Sequence, residues 1–318
     1  MKARFLGVSR WAGMSAITET VEWDEFSRGK SWTARAESPD AVRSRLRGGG
    51  SLLVEAGWRT EGETDRRVVA APIEISCVYP SARPVWSVLE PLVRVQDLLS
   101  FLYGGFISAH SGTVSLHLRT SAEPEMELPP ALWNGLLMDP SPTAPSLPRN
   151  ADALMTLQQL GGPRGLARWV HLSTTYPRAV RPFLNHYRYG STTTELGVME
   201  AAAGIDYWVN AHARSAAWAK GGGSHTERLA LHLGRAFKGW VSDPVEWAEL
   251  LRTTNNKLKH DPNAALDPQL LADLALSAQL VLAAATLNEV ARTKGPGTAI
   301  FTSYRFDRLR QRMRTALT

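Results

Sequence analysis

The sequence predicts an α+β fold, with a β-rich N-terminal domain containing one long helix, followed by a C-terminal α-helical bundle. Three observations carry this reading. Short runs of valine, isoleucine and leucine, bounded by glycine, proline and charge, lie in the first 120 residues. Prolines at 124, 129, 130, 140, 142, 145 and 148 punctuate residues 121–150. Beyond them, apolar residues recur at three- and four-residue spacing almost to the end.

In order along the chain, Ser51 to Trp58 follows Gly48-Gly49-Gly50 and reads as a short apolar strand. Arg67 to Tyr79 is rich in Val and Ile and reads as another. From Pro84 to Ile107, residues Val85, Leu89, Leu92, Val93, Leu99 and Leu102 are near helical spacing and give the one long helix. Thr113 to Arg119 alternates Val114, Leu116 and Leu118 with Ser115, His117 and Arg119, a half-buried strand. The proline-rich stretch is the expected domain boundary, giving a first domain at 1–148, a helical connector at 149–189 and a bundle at 190–318. Helices are expected near 151–160, 164–176, 192–218, 226–239, 243–260, 267–293 and 303–315, with Gly221-Gly222-Gly223 a turn and Gly295-Pro296-Gly297 a stop. Met14 offers an alternative start that would make residues 1–13 dispensable.

Composition bounds the function. A length of 318 residues accommodates two cores, and 44% hydrophobic with 21% charged residues is ordinary for a globular protein. A net charge of +6 and a pI of about 9.6 suit a nucleic-acid partner without requiring one. The single Cys77 excludes an intramolecular disulfide and a multi-cysteine zinc site, and points to a reducing, cytoplasmic setting. No secretory signal is expected, because Arg10 interrupts the apolar start. The most apolar stretch, Leu274 to Leu287, contains Ser277, Gln279 and Thr286; it is expected to be a buried bundle helix, with no membrane partner. Gly221 to Gly223 lacks the lysine of a phosphate-binding loop, and histidines 171, 186, 212, 225 and 232 show no metal-ligand spacing. No cofactor or metal is expected.

One segment carries chemistry. Asp243 is an N-cap, Pro244 fits the first helical position, and Glu246 completes a capping box. Trp247, Leu250, Leu251, Thr254 and Leu258 make one apolar stripe. Arg252, Asn256 and His260 fall along another face, and Pro262 ends the helix near His260. A histidine in a last turn feels the negative end of the helix dipole, which suits a general acid/base. The same histidine also serves simply to cap carbonyls. Both readings stand at this level.

Two further features are candidates. Arg305, Arg308 and Arg312 share one face of the last helix, opposite Phe306, Leu309 and Met313, and form either a phosphate-gripping surface or a solvated face. Glu200 shares a face with Leu196 and Ala203 and is expected to be partly buried, as a salt-bridge anchor or as a supporting group near the histidine.

The alanine-rich helix Leu196 to Trp208 and the segment Thr254-Asn-Asn-Lys-Leu-Lys-His260 resemble the HEPN superfamily of helical bundles. The whole chain, with Ser87 to Leu92 and Asp97 to Ser100 in its N-terminal helix, is similar to ApeA-like antiphage proteins. The family motif is an arginine, a polar residue, three variable residues and a histidine. Here the histidine is His260, the polar residue Asn256, and Asn255 stands at the arginine position, with Arg252 nearby. The resemblance implies metal-independent RNA cleavage through the 2′-hydroxyl, with His260 as acid/base, Asn256 as orienting group and an arginine on the phosphate. It also implies a homodimer and an N-terminal domain that senses a phage component. The departure at Asn255 leaves the alternative of a catalytically degenerate module that dimerises, binds RNA or nucleotide, or senses phage.

Overall fold

The computed structural model describes residues 1–5, 7–62, 68–114, 117–118, 126–127, 131–133, 143–147, 152–261, 263 and 265–318. The N-terminal part is built on a six-stranded antiparallel sheet. Its strands are β1 (Lys2–Phe5), β4 (Val42–Arg45), β5 (Ser51–Ala56), β8 (Ile73–Val78), β9 (Ala109–Val114) and β12 (Ala131–Trp133), in the order β12-β9-β1-β8-β5-β4. Alternation along the strands sorts the two faces. Ala3, Phe5, Leu52, Val54, Ile73 and Ile75 point inward, and the helix α2 (Val85–Tyr103) covers them with Leu89, Leu92, Val95 and Leu99. On the opposite face, Lys2 and Arg4 of β1 converge on Glu74 of β8 at 2.6 and 2.5 Å. A short helix α1 (Ser9–Ala12) adds the buried Trp11.

Three two-stranded ribbons flank this sheet: β2 (Ile17–Trp23) with β3 (Gly29–Ala36), β6 (Arg59–Glu61) with β7 (Val68–Ala70), and β10 (His117–Leu118) with β11 (Met126–Glu127). The β2–β3 ribbon stands away from the core and exposes Trp23, Phe26 and Trp32.

The helical part comprises α3 (Gly162–Thr175), α4 (Pro177–Tyr189), α5 (Thr194–His212), α6 (His225–Leu233), α7 (Arg235–Val241), α8 (Pro244–His260), α9 (Pro268–Ala291), α10 (Gly295–Thr302) and α11 (Asp307–Ala316). Apolar on every side, α9 is packed against α3, α4, α5, α6, α10 and α11, as a helix without a polar face must be. It is the one helix among the described residues long and apolar enough to cross a membrane, and 78% of its most apolar window is buried in the protein. Gly204 lets α5 lie close to its neighbours; a Cβ there would sit 2.9 Å from Leu282 Cδ1 and 3.0 Å from Arg178 O. That Arg178 carbonyl is the one Pro182 leaves without an intrahelical donor.

One hydrophobic core runs through both parts. Phe101 of α2 packs edge-on against Phe183 of α4 with centroids 5.1 Å apart, and Trp169 Nε1 of α3 donates to Arg94 O of α2 at 2.8 Å.

The structure differs from several expectations. Residues 1–13, which an alternative start at Met14 would remove, are built into the fold: β1 is an interior strand, and Val8 and Trp11 lie in the core. Strands β1 to β4 lie outside the expected elements: β1 and β4 have four residues each, and β2 and β3 form an exposed ribbon in which Ile17, Val21, Trp23 and Trp32 are interspersed with polar residues. No helix forms at 152–160, where Leu154 and Leu157 donate to Leu102 O and Trp11 O rather than to one another. Helix α4 was hidden by Pro177 and Pro182; the first occupies the initial turn, where its missing N–H costs nothing. Expected helix 226–239 is two helices, broken at Gly234 with φ 72°. Gly295-Pro296-Gly297 opens α10, while α9 ends at Arg292. Thr113 to Arg119 contributes to β9 and β10, with residues 115, 116 and 119 outside the described set. Most of the proline-rich stretch lies outside it too.

Candidate functional site

Helix α8 starts as its sequence dictates. The Asp243 carboxylate accepts from Val245 N at 2.8 Å and Glu246 N at 3.2 Å, and Pro244 opens the first turn. Trp247, Leu251 and Thr254 are buried, with Leu250 and Leu258 partly so, and Trp247 Nε1 donates to Ser277 Oγ of α9 at 3.0 Å. This anchoring fixes which way the polar residues face.

Asn256 and His260 are exposed, and neither side chain is bonded to a described residue. With Lys257 and Lys259 they make the last turn of α8 an exposed basic end, which complements the helix dipole. Arg252 is exposed as well, but it is committed: Nε and Nη2 fork onto Glu249 at 2.9 and 2.6 Å. Glu249 lies one turn towards the N-terminus, so the guanidinium is drawn away from His260. Asn255, at the position where the motif has arginine, points into the bundle and is 7% exposed. Its Oδ1 is buried without a hydrogen-bond partner among the described residues.

The other candidates separate from α8. Glu200 is half-buried, yet the Leu196 and Ala203 it was grouped with are exposed; the buried face of α5 is formed by Val198, Ala201, Ile205, Trp208 and Val209. Glu200 makes no hydrogen bond or ion pair with a described residue. In the last helical segment, Arg305 Nη1 donates to Leu102 O at 2.7 Å, and Arg312 grips the buried Asp273 of α9 with two bonds of 2.7 Å. Arg308 alone of the expected trio is left to solvent among the described residues. The expected basic face is therefore largely consumed in holding α11 to the rest.

No group of three or more metal-ligating side chains occurs among the described residues. Two histidines with shifted pKa values pack within the helical part. His212 Nδ1 donates to Trp208 O (2.8 Å) and Nε2 faces the acceptor Glu289 Oε2 (2.9 Å); burial lowers its pKa, but these partners more than offset that and hold it above the ordinary value. His232 stacks on Trp218 with centroids 4.3 Å apart, and burial, with Lys294 and His212, pushes it down to about 4.

A family model described as ApeA N-terminal domain 1 matches residues 1–169, more than half of the chain. The chain belongs to that ApeA family. No curated protein and no solved structure matches it. The ApeA match takes in the sheet, α2 and the proline-rich stretch, and ends inside α3, which packs against β4 and β5.

Sequence reasoning missed one cluster at this junction. Arg43, Arg45 and Arg47 meet Arg164, Arg168 and Arg292 around a cleft. Two signals mark it: arginine at alternate positions in 43–47, and a four-residue interval between Arg164 and Arg168 on a helix.

Proposed function

We propose that this ApeA-family chain is an antiphage defence protein whose helical part, residues 190–318, is a HEPN-like module that binds RNA or a nucleotide without cutting RNA at His260. Membership of the ApeA family supports the defence role. One observation carries the choice of binding over cleavage. The motif's arginine position is the inward-facing Asn255, and the nearest substitute, Arg252, is neutralised by Glu249. Phosphoryl transfer between neighbouring riboses builds charge on the phosphate oxygens, and a histidine without a forked cation beside it leaves that charge unstabilised.

The test is incubation of purified protein with single-stranded RNA in the absence of metal, for the natural chain and His260→Ala. Both should retard the RNA and leave it intact. Cleavage by the natural chain that His260→Ala abolishes would overturn the binding reading and install the ribonuclease in its place, with the missing cation supplied across a homodimer.

A further inference from the structure

Three separate segments deliver arginines to one cleft of about 700 Å³. On β4, the outermost strand of the sheet, Arg43 and Arg45 alternate with Val42 and the buried Ser44, and Arg47 follows two residues on. Arg164 and Arg168 lie one turn apart on α3. Arg292 ends α9 in the left-handed conformation, with φ 60°. Two of these side chains are held in place by neutral groups: Arg168 Nε donates to Val290 O and Arg47 Nη1 donates to His171 Nε2, each at 2.5 Å.

None of the six guanidiniums has a carboxylate partner among the described residues. The one carboxylate in the lining, Glu289, is bound by His212 at 2.9 Å. Elsewhere the fold pairs its arginines readily, as at Arg188, Arg252 and Arg312. The cleft is different: its cations repel one another, and the Arg168 and His171 pKa values are both pushed down, by burial first and then by neighbouring arginines. Such a cluster is relieved when a multiply charged anion enters.

We propose that this cleft between the ApeA sheet and the helical part binds a nucleoside polyphosphate. A guanidinium meets phosphate oxygens two at a time, so arginines from three segments suit a chain of phosphates better than a single carboxylate. Ala167, Leu172 and Tyr176 give the cleft an apolar wall for the base. Its volume is within the range of sites for small ligands. The cations surround a cavity instead of following a long surface track, which favours a compact polyanion over an RNA strand. The inference rests on the binding reading above for its ligand class.

The experiment is calorimetric titration of the full chain with ATP, GTP and inorganic pyrophosphate, and separately with a short single-stranded RNA. Variants are Arg43→Glu, Arg164→Glu and the milder Arg164→Gln, with Lys30→Glu on the exposed β2–β3 ribbon as control. The natural chain and Lys30→Glu should bind a triphosphate equally, with pyrophosphate competing. Each cleft variant should bind about tenfold more weakly or worse, while melting at or above the natural chain's temperature because like charge has been removed. Triphosphate affinity unchanged in the cleft variants would overturn the site and leave the binding reading intact. Binding of RNA with no binding of triphosphate or pyrophosphate would also overturn it, whereas a natural chain that binds neither would overturn both.

Discussion

The Arg188 guanidinium of α4 closes on the Asp97 carboxylate of α2, with Nε and Nη2 at 2.9 and 2.7 Å from the same oxygen, Oδ1. Nη2 also donates to Gln96 Oε1 at 2.6 Å. The pair is largely buried, with side chains 11% and 12% exposed, and ties the helix beneath the sheet to the helical part. Removing one partner strands the other charge in the core, so Arg188→Met should cost about 3–5 kcal/mol. The double variant Arg188→Met/Asp97→Leu should recover most of that, because two apolar groups need no partner. Urea denaturation of the three proteins measures both; a double variant as unstable as the single one would refute the assignment.

Strand β1 makes the second prediction. It lies between β8 and β9, with Ala3 and Phe5 wholly buried, and Trp11 follows in the core. A chain of residues 14–318 forfeits all of these, and loss of a buried Phe or Trp side chain alone costs about 3–5 kcal/mol. It also leaves two strand edges unpaired. The shortened chain should be insoluble or lack native near-ultraviolet dichroism. A monodisperse product with the full-length spectrum would contradict this.

The contrast between β1 and α8 explains what the sequence made legible. Helix α8 announces itself within its own residues: a cap at Asp243, a proline behind it and one apolar stripe. β1 has only four residues, and its role depends on partners about seventy positions away at Ile73–Ser76. The same division runs through the candidate site. The exposure of Asn256 and His260 follows from helical phase. The Glu249 fork on Arg252 follows from a three-residue interval on one helix. The arginine cleft joins residues near 45, 166 and 292, and proximity of that kind arises only from packing.

Cys77 offers a chemical probe of the sheet. Its side chain is wholly buried on β8, and burial pushes the thiol up to about 11. Only the thiolate reacts with disulfide reagents. At pH 8 ionisation alone should slow the native thiol by about two orders of magnitude relative to the unfolded chain. Labelling should therefore track unfolding. Rapid stoichiometric labelling of folded protein would mean that the β5–β8 pairing opens.

His232 predicts a pH dependence with a definite sign. Its pKa is about 4 when folded, against an ordinary 6.5. Between these values the unfolded chain binds a proton that the folded chain refuses, so this residue's contribution is present above pH 6.5 and is lost as the pH falls towards 4. His212, held above its ordinary value, contributes in the opposite sense: its stabilisation is present below 6.5 and fades as the pH rises through its folded pKa. His232→Phe keeps a ring against Trp218 and removes the titrating group. Its melting temperature should fall less than the natural chain's between pH 6.5 and 4. Parallel curves would show that His232 is not the group responsible.

Asn255 separates a relic from a working residue. Its Oδ1 is buried without a partner among the described residues, a loss of about 1–3 kcal/mol for a polar atom taken from water. Leucine has the same branched outline, with larger methyl groups and no polar atom, so Asn255→Leu should be neutral or stabilising by about 1 kcal/mol. Asn255→Arg, which restores the motif, drives a charge into the same inward position and should lower the melting temperature, since an unpaired charge costs more to bury than an amide. Thermal melts of the two variants give the order Leu, natural, Arg from most to least stable. If arginine raised the melting temperature instead, the position would already be shaped for a cation, and the absence of one beside His260 would be a simple loss that a single substitution reverses.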